Sequence, residues 1–424
     1  VTGSQATTAG GNKISISTGN WNTAGTWSPS GVPISSDNVT IANGHTVTIN
    51  ANAACNNLTV GQGTSGILQI GSNATARTLT ISNNVTINAG GQFIANTASN
   101  TTHALTVTGN ITNNGTLNFA SDGNSFANTT FNKNGNQAIS GAGGTLRFNS
   151  IIVNMGTVNS NTLDITASNF TTAATNFLTL TNGTFKLSVA ATITPFTANV
   201  TLPLSTGLWI NNASAIVSTT GGTITLYGKL TVSTGTLNIG NATNNNLTSY
   251  GGVVTFNGGS INVAGRLDKA GTPTLSFFNM TNGTLTLNTV GSTTAGAAPF
   301  RMDEIGATFN MTGGTIIIRR SGAGNLGYVN VGSTGTVTGG TLQIGDASTP
   351  AAQTIQINST KEIGNLVINS ANASAVLTTN SLVLTNDVTI SSGGLNANNL
   401  NLTLGGNWLD NGTFTSGTGT VTFD

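Results

Sequence analysis

Apolar and polar residues alternate along this chain in short runs. The recurring run is Asn, apolar, Thr or a similar residue, apolar, and it stands at 38–41, 57–60, 84–87, 365–368 and 401–404, with Asp in place of Asn at 387–390. Successive side chains of a strand point to opposite faces, so the alternation puts the apolar residues on one face and Thr on the other. The pattern therefore predicts short, half-buried β-strands.

A second unit combines a turn with a strand. It reads Gly, Thr, apolar, any residue, apolar, and it occurs at 115–119, 144–148, 183–187, 222–226, 235–239, 283–287, 314–318 and 340–344. Most copies are preceded by Asn or a second Gly, the residues that tolerate positive φ in a tight corner. Each copy therefore predicts a corner followed by a strand.

The spacing of these units decides between all-β architectures. A sandwich, a propeller and a solenoid are all built from short strands at such spacing. Strands this short, Asn/Gly corners and the lack of a helical crossover favour an all-β, right-handed parallel β-helix, the hand following the general rule for parallel connections. Coils of roughly 20 to 25 residues would give about 17 to 21 coils. We expect a capping segment over 1–37 and a continuous solenoid over 38–424 that extends beyond the sequence in a longer product.

Charge and composition exclude several classes of function. Only 5% of the residues are charged, 12 Lys and Arg against 11 Asp and Glu, so no basic patch exists for a nucleic acid. The hydrophobic share is 37%, enough for a core, and no apolar run is long enough for a transmembrane helix. Cys55 is the single cysteine and reads as a small buried side chain. A surface of Thr and Asn with so few charges favours a secreted, extracellular location, at the cell surface.

The two ends of the pattern differ. Two of the four tryptophans, Trp21 and Trp27, lie in the loop-rich N-terminal segment, and we interpret them as the structural cap of the first coil. The C-terminal segment ends inside a strand pattern, and we interpret Trp408 and Phe423 as an assembly end. Stacking of that end on a second copy would give head-to-tail fibres.

Two segments resemble a known group of proteins. The run Trp-x5-Trp-x5-Pro-x3-Asp-x-Val-x-Ile-x2-Gly-x2-Val-x-Ile over 21–49 resembles the opening of large secreted β-helix proteins of bacterial surfaces, and it is also similar to the glycine-rich G8 module. The motifs at 405–408, 411–414 and 417–423 resemble coils of the same bacterial adhesins, which often leave the cell by the type IX route. The resemblance implies a right-handed parallel β-helix in a cell-surface or fibre-forming adhesin.

Few residues in this sequence could carry chemistry. The densest charge lies in 301–304, with 319–320 downstream, so Asp303, Glu304 and Arg319 are the candidates for a polysaccharide lyase or glycoside hydrolase. Asp303 and Glu304 are adjacent and would point to opposite faces of a strand, so the bland interpretation is a surface ion-pair cluster.

Cofactor and ligand sites are equally sparse. The two histidines, His45 and His103, have no His or Cys neighbour, so we expect no cofactor and no ordinary metal site. Calcium stays open, because Asp and turn carbonyls are its ligands, although 340–346 matches the calcium-binding nonapeptide poorly. Aromatic residues that would form a sugar-stacking platform if exposed are Trp209, Tyr227, Tyr250, Phe277, Phe278 and Tyr328.

These patterns predict an extracellular structural or adhesive rod without catalytic activity. Its partners would be further copies of itself or surface glycans. The alternatives are a polysaccharide lyase or hydrolase of the parallel β-helix type and a carbohydrate-binding module.

Overall fold

The chain is a β-solenoid of about 16 turns with parallel strands. The computed structural model describes residues 10–269 and 276–424. The predicted parallel β-solenoid is confirmed. The turns are fewer than predicted because many coils are longer than expected: corner asparagines of neighbouring coils are 19 residues apart at Asn38 and Asn57, but 27 apart at Asn57 and Asn84. The chain divides into two compact units, Val1–Ile193 and Thr194–Asp424, and each is described by itself.

Short strands with an inward-facing apolar residue at every second position build unit 1. Its strands are β1 (Asn12–Ser15), β2 (Gly19–Asn20), β3 (Trp27–Ser28), β4 (Asn38–Ile41), β5 (Thr46–Ile49), β6 (Ala53–Cys55), β7 (Leu58–Val60), β8 (Ile67–Ile70), β9 (Thr78–Ile81), β10 (Val85–Ile87), β11 (Gln92–Ala95), β12 (Thr102–Val107), β13 (Ile111–Asn113), β14 (Thr116–Asn118), β15 (Phe126–Phe131), β16 (Gln137–Ser140), β17 (Thr145–Phe148), β18 (Ser150–Asn154), β19 (Thr162–Ile165), β20 (Phe170–Thr172) and β21 (Leu178–Leu187). Short 3₁₀ turns stand at Ala24–Thr26 and Thr97–Ser99.

Three parallel ladders form the faces of unit 1. The first runs through β4, β7, β10, β13, β16 and β19, the second through β5, β8, β11, β14, β17 and β20, and the third through β6, β9, β12, β15, β18 and β21. Equivalent residues stack in register: Val39 pairs with Leu58, Leu58 with Val85, and Val85 with Ile111, and all four are buried. Like side chains therefore form the core coil after coil.

Aromatic residues of neighbouring coils pack against one another in the core of unit 1. Phe148 of β17 is fully buried and its ring centroid lies 5.9 Å from that of Phe119, 6.4 Å from that of Phe131 and 6.1 Å from that of Phe170. The edge-on and tilted arrangements are those that aromatic pairs prefer. Phe148 thus packs against aromatic rings from two ladders, since Phe131 lies on β15 and Phe170 on β20.

Unit 2 follows the same plan with several longer strands. β22 (Thr192–Phe196) contains the division between the units. The strands that follow are β23 (Val200–Leu202), β24 (Thr206–Thr219), β25 (Ile224–Leu226), β26 (Lys229–Ile239), β27 (Leu247–Ser249), β28 (Val253–Phe256), β29 (Ser260–Val263), β30 (Leu267–Lys269), β31 (Phe277–Met280), β32 (Thr284–Leu287), β33 (Phe300–Met302), β34 (Thr308–Met311), β35 (Thr315–Ile318), β36 (Leu326–Asn330), β37 (Thr341–Ile344), β38 (Gln353–Ser359), β39 (Asn365–Leu377), β40 (Leu382–Leu384), β41 (Val388–Asn396), β42 (Leu402–Leu404), β43 (Trp408–Asp410), β44 (Thr413–Thr415) and β45 (Val421–Phe423). A 3₁₀ turn stands at Ala323–Asn325.

Two ladders of unit 2 position the candidate residues. One runs through β25, β27, β30, β33, β36 and β38, and the other through β29, β32, β35, β37, β39 and β41. The second ladder is interrupted by a bulge in β39, where the register shifts between Asn369 and Ser374. β33 belongs to one of these ladders and β35 to the other, so the residues that follow the two strands lie on different ladders.

Candidate functional site

Asp303 stands at the end of β33 and belongs to a compact ion-pair cluster. Its Oδ2 accepts a hydrogen bond from Arg301 Nε at 2.8 Å, and its Oδ1 lies 3.4 Å from Lys269 Nζ. Asp268, one coil earlier, lies 3.2 Å from Arg266 Nη2 and 4.0 Å from Arg301 Nη1. Charges of opposite sign on neighbouring coils therefore neutralise one another within the cluster.

Two carboxyls of this region are buried, Asp268 and Glu304. Asp268 is buried, and its removal from water raises the pKa of its carboxyl above the ordinary value, while Arg266 and Arg301 act to lower that pKa. Glu304 is buried as well, and its Oε2 accepts a hydrogen bond from the backbone N–H of Ser276 at 3.2 Å. Both carboxyls thus have structural partners inside the protein.

Arg319 is not a partner of Asp303 or Glu304 in an ion pair. It follows β35 on the other ladder, and its guanidinium binds Asp346 of the next coil, with Nη2 2.8 Å and Nε 2.9 Å from Oδ2. The structure thus places Arg319 in a separate, bidentate ion pair. Sequence reasoning missed Asp346 as this partner. Arg319 directly follows β35, and Asp346 lies two residues after the end of β37, the next strand of the same ladder.

The space at the cluster is very small. Among the described residues, the cavity bounded by Asp268, Lys269, Arg301 and Glu304 measures about 10 Å³. That volume holds about one water molecule. A sugar ring does not fit between these carboxyls as they stand.

No metal centre is found in the part of the chain that the structure describes. Within residues 10–269 and 276–424, no three His, Cys, Asp or Glu side chains are grouped so that they could hold a metal ion. His45 Nδ1 lies 3.0 Å from Ser15 Oγ, and His103 Nδ1 accepts a hydrogen bond from the backbone N–H of Arg77. Both histidines therefore have local structural contacts.

The aromatic candidates do not form one platform. Tyr227 and Tyr250 stack on each other with ring centroids 5.1 Å apart, and Tyr227 is 40% exposed. Phe278 and Tyr328 are buried, and burial raises the pKa of Tyr328 well above its ordinary value. Trp209 donates its indole N–H to Ser233 Oγ at 2.9 Å. Phe277 is 40% exposed, and Trp209 and Tyr250 are half-buried.

The residues assigned to the two ends differ in their exposure to solvent. Trp21 and Trp27 are both buried, their rings meet edge to face at 5.1 Å, and Trp27 Nε1 donates to the carbonyl of Trp21. β1 continues the solenoid, since it pairs in parallel with β4 as well as antiparallel with β3. Trp408 is half-buried against Phe414, and Phe423 is 61% exposed. The capping and assembly roles of these residues stay predictions.

A shallow groove of about 490 Å³ lies elsewhere in unit 2. It crosses β38, β39, β41 and β44, and its lining comes from Ala352, Gln353, Thr354, Ala371, Asn372, Ala373, Ser374, Gly393, Gly394 and Thr413. Sequence reasoning missed it. The available signal was Ile-Asn followed closely by Ala-Ser-Ala, at 368–375 and with a shorter spacing at 210–215. In both places the register between coils shifts.

The described part of the chain contains no helix of the length and apolarity that a membrane crossing requires. No family model matches the chain, and neither the curated proteins nor the solved structures gave a match.

Proposed function

We propose that this chain is an extracellular structural or adhesive β-solenoid, a segment of a cell-surface adhesin or a fibre protomer, and that it has no catalytic activity. The observation that carries the proposal is the uncharged bonding between coils. Asn38 Nδ2 donates to Asn12 Oδ1, Asn57 Nδ2 donates to Asn38 Oδ1, and the backbone N–H of Asn84 donates to Asn57 Oδ1. This stack of asparagines, the Asn file, continues to Asn110, whose backbone N–H donates to Asn84 Oδ1.

Such a file suits a protein that works outside the cell. Its members are amides, so neither pH nor salt alters their charge, whereas exposed ion pairs weaken as ionic strength rises. Beside it, the outward residues Thr40, Thr59, Thr86 and Thr112 stack in register. The surface of this face is therefore neutral and repetitive, as expected of a scaffold.

The state of the charged residues supports a role without catalysis. Asp303 and Arg319 are engaged in different ion pairs, and Glu304 accepts a backbone hydrogen bond. A general acid and a nucleophile or base must both face one substrate. A hydrolase would need these contacts to break and the 10 Å³ cavity to open.

The enzyme alternative is tested by turnover. We expect no product from the full chain on a panel of neutral and uronate-containing polysaccharides, with and without calcium, in an assay of reducing ends and of unsaturated uronate absorbance. Turnover that is lost in Asp303→Asn and retained in Asp164→Asn would overturn the proposal. Asp164 is the matched control, because it is also half-buried and paired, with Lys186 at 2.8 Å.

Head-to-tail association is the assembly mode that we propose. β43 and β45 carry exposed apolar residues, Leu409 at 53% and Phe423 at 61% exposure. We expect electron microscopy of the concentrated chain to show unbranched fibres. Phe423→Asp should prevent them, because a charge would be buried in the contact, whereas Ile305→Asp, at an 88% exposed apolar position, should not. A chain that stays monomeric at high concentration would exclude this mode and leave the adhesive role to be tested by cell binding.

A further inference from the structure

The groove of unit 2 is built on one file of outward positions. Thr354 pairs with Ser374, Ser374 with Gly394, and Gly394 with Thr413, so the four residues occupy the same place in four successive coils. Their neighbours Ile355, Ala375 and Leu395 point into the core. Stacked strands stand about 4.8 Å apart, so the file spans about 14 Å along the stacking direction.

The bulge of β39 contributes to the lining beside this file. Asn369 pairs with Ser392 and Ser374 with Gly394, so residues 370–373 stand opposite Gly393 alone. Gly393 has φ +86°, and a Cβ there would lie 2.3 Å from the carbonyl oxygen of Ser370. The glycine thus lets the bulge pack over the next coil. Ala371 and Asn372 of the bulge are exposed and line the groove.

The lining is uncharged and offers groups that form hydrogen bonds. Among the described residues, the structure assigns no hydrogen-bond partner to the hydroxyls of Thr354 and Ser374. Asn372 donates its Nδ2 to the carbonyl of Thr349, which leaves its Oδ1 as an acceptor. Alanines and glycines form the rest of the surface. No Lys or Arg lines the groove to hold an anion.

We propose that this groove binds a linear, neutral oligosaccharide that lies along the stacking direction, with about one sugar for each coil. The hydroxyls of Thr354 and Ser374 stand one coil apart, an interval comparable to the length that one pyranose residue adds to a chain, and the open floor at Gly394 leaves room for the chain to continue. The inference rests on the adhesive role proposed above and names its ligand class.

A peptide fits the groove less well. An extended peptide gains affinity by pairing with a free strand edge. The two middle strands beneath the groove have no free edge, because β39 pairs with both β38 and β41, and β41 pairs with both β39 and β44. The available contacts are side-chain hydroxyls and amides, which match the hydroxyls of a sugar.

Filling the groove tests the proposal. Gly394→Gln adds a side chain to the floor of the file. Its Cβ would lie 2.8 Å from Oγ1 of Thr413, which is exposed and would give up its hydrogen bond to the carbonyl of Gly393 on rotating away. Thr389→Gln is the control, because Thr389 faces outward on the same strand and lies outside the groove. Circular dichroism and thermal unfolding of both variants establish that they fold.

The assay is calorimetric titration of the full chain with linear neutral glucans, mannans, galactans and xylans of two to six units, and with oligouronates as charged probes. We expect affinity for one neutral series to rise up to about four units, the number of coils in the file, and then to level. Gly394→Gln should lower that affinity at least about tenfold, which corresponds to about 1.4 kcal/mol, and Thr389→Gln should leave it within about twofold.

Three results would overturn the proposal: no binding of any neutral series, tighter binding of the uronates, or equal losses in the two variants. If Gly394→Gln does not fold, the double variant Thr354→Ala/Ser374→Ala removes the two hydroxyls without adding bulk and should give the same loss. Fibre formation and cell binding are measured separately. A chain that binds cells but no neutral glycan thus refutes the groove and leaves the adhesive role standing.

Discussion

Replacing Phe148 by Ala tests whether the solenoid stabilises itself locally. The side chain is fully buried in β17 and touches the rings of Phe119, Phe131 and Phe170. Removing a buried Phe costs about 3 to 5 kcal/mol, and the lost ring contacts place this site in the upper part of that range. A matched control is Phe126→Ala in β15, because Phe126 faces outward and meets water.

Hydrogen exchange measures the effect strand by strand. A loss of about 4 kcal/mol in the free energy of opening raises the rate of amide hydrogen exchange about a thousandfold, since each 1.4 kcal/mol is a factor of ten. In a solenoid each coil contacts only its neighbours, so we expect the change in β17 and in the adjacent β14 and β20, with little change in β5. Phe126→Ala should change exchange less than about tenfold, because it leaves no closed cavity. Equal effects of the two variants, or a uniform change through unit 1, would refute the reasoning.

Three further results follow from single residues. Burial, with a smaller contribution from Asp37, raises the pKa of the Cys55 thiol to about 12, so a thiol reagent at pH 8 should label it only in denaturant; rapid labelling of the folded chain would contradict this. Burial, and next the charge of Arg77, lowers the pKa of His103 in the folded state, so the free energy of unfolding should fall as pH drops below about 6.5. Urea melts of His103→Gln should show a weaker decrease with pH than those of the wild type. Equal decreases in the two proteins would exclude His103 as the cause. Asn84→Ala removes the acceptor of a 2.8 Å hydrogen bond from the next coil and should cost about 1 kcal/mol in urea melts, whereas Asn84→Asp keeps the acceptor; an Ala variant as stable as wild type would show that the Asn file adds no stability.

Local pattern was enough to predict the fold. The run at 38–41 became β4 with Val39 and Ile41 buried, and the run at 144–148 became β17 with its Phe148 inside. Alternation sets which side chains point inward, and the corner residues set where strands end, so both can be deduced from neighbouring residues. The number of turns could not be deduced this way, because coil length varies with loops whose sequences carry no periodic signal.

The candidate site was harder to predict for the same reason. Asp303 and Arg319 are close in sequence, but the chain between them turns a corner and forms β34 and β35, which puts the two on different ladders. Only the pairing of coils shows that Arg319 comes within reach of Asp346, because Ile318 pairs with Ile344, and that Ser374 faces Gly394. Which residues pair across coils depends on coil length, and the sequence pattern does not determine coil length.

The bulge in β39 shows how such a protein can change without losing its fold. Residues 370–372 pair with neither β38 nor β41, and pairing resumes with β38 at Ala373 and with β41 at Ser374. Insertions at such a point alter the exposed surface while the hydrogen bonds above and below are kept. Loops of foreign sequence grafted at residues 370–372 should therefore be accepted, and repeated insertions of this kind give a simple route by which new binding surfaces arise on an old scaffold.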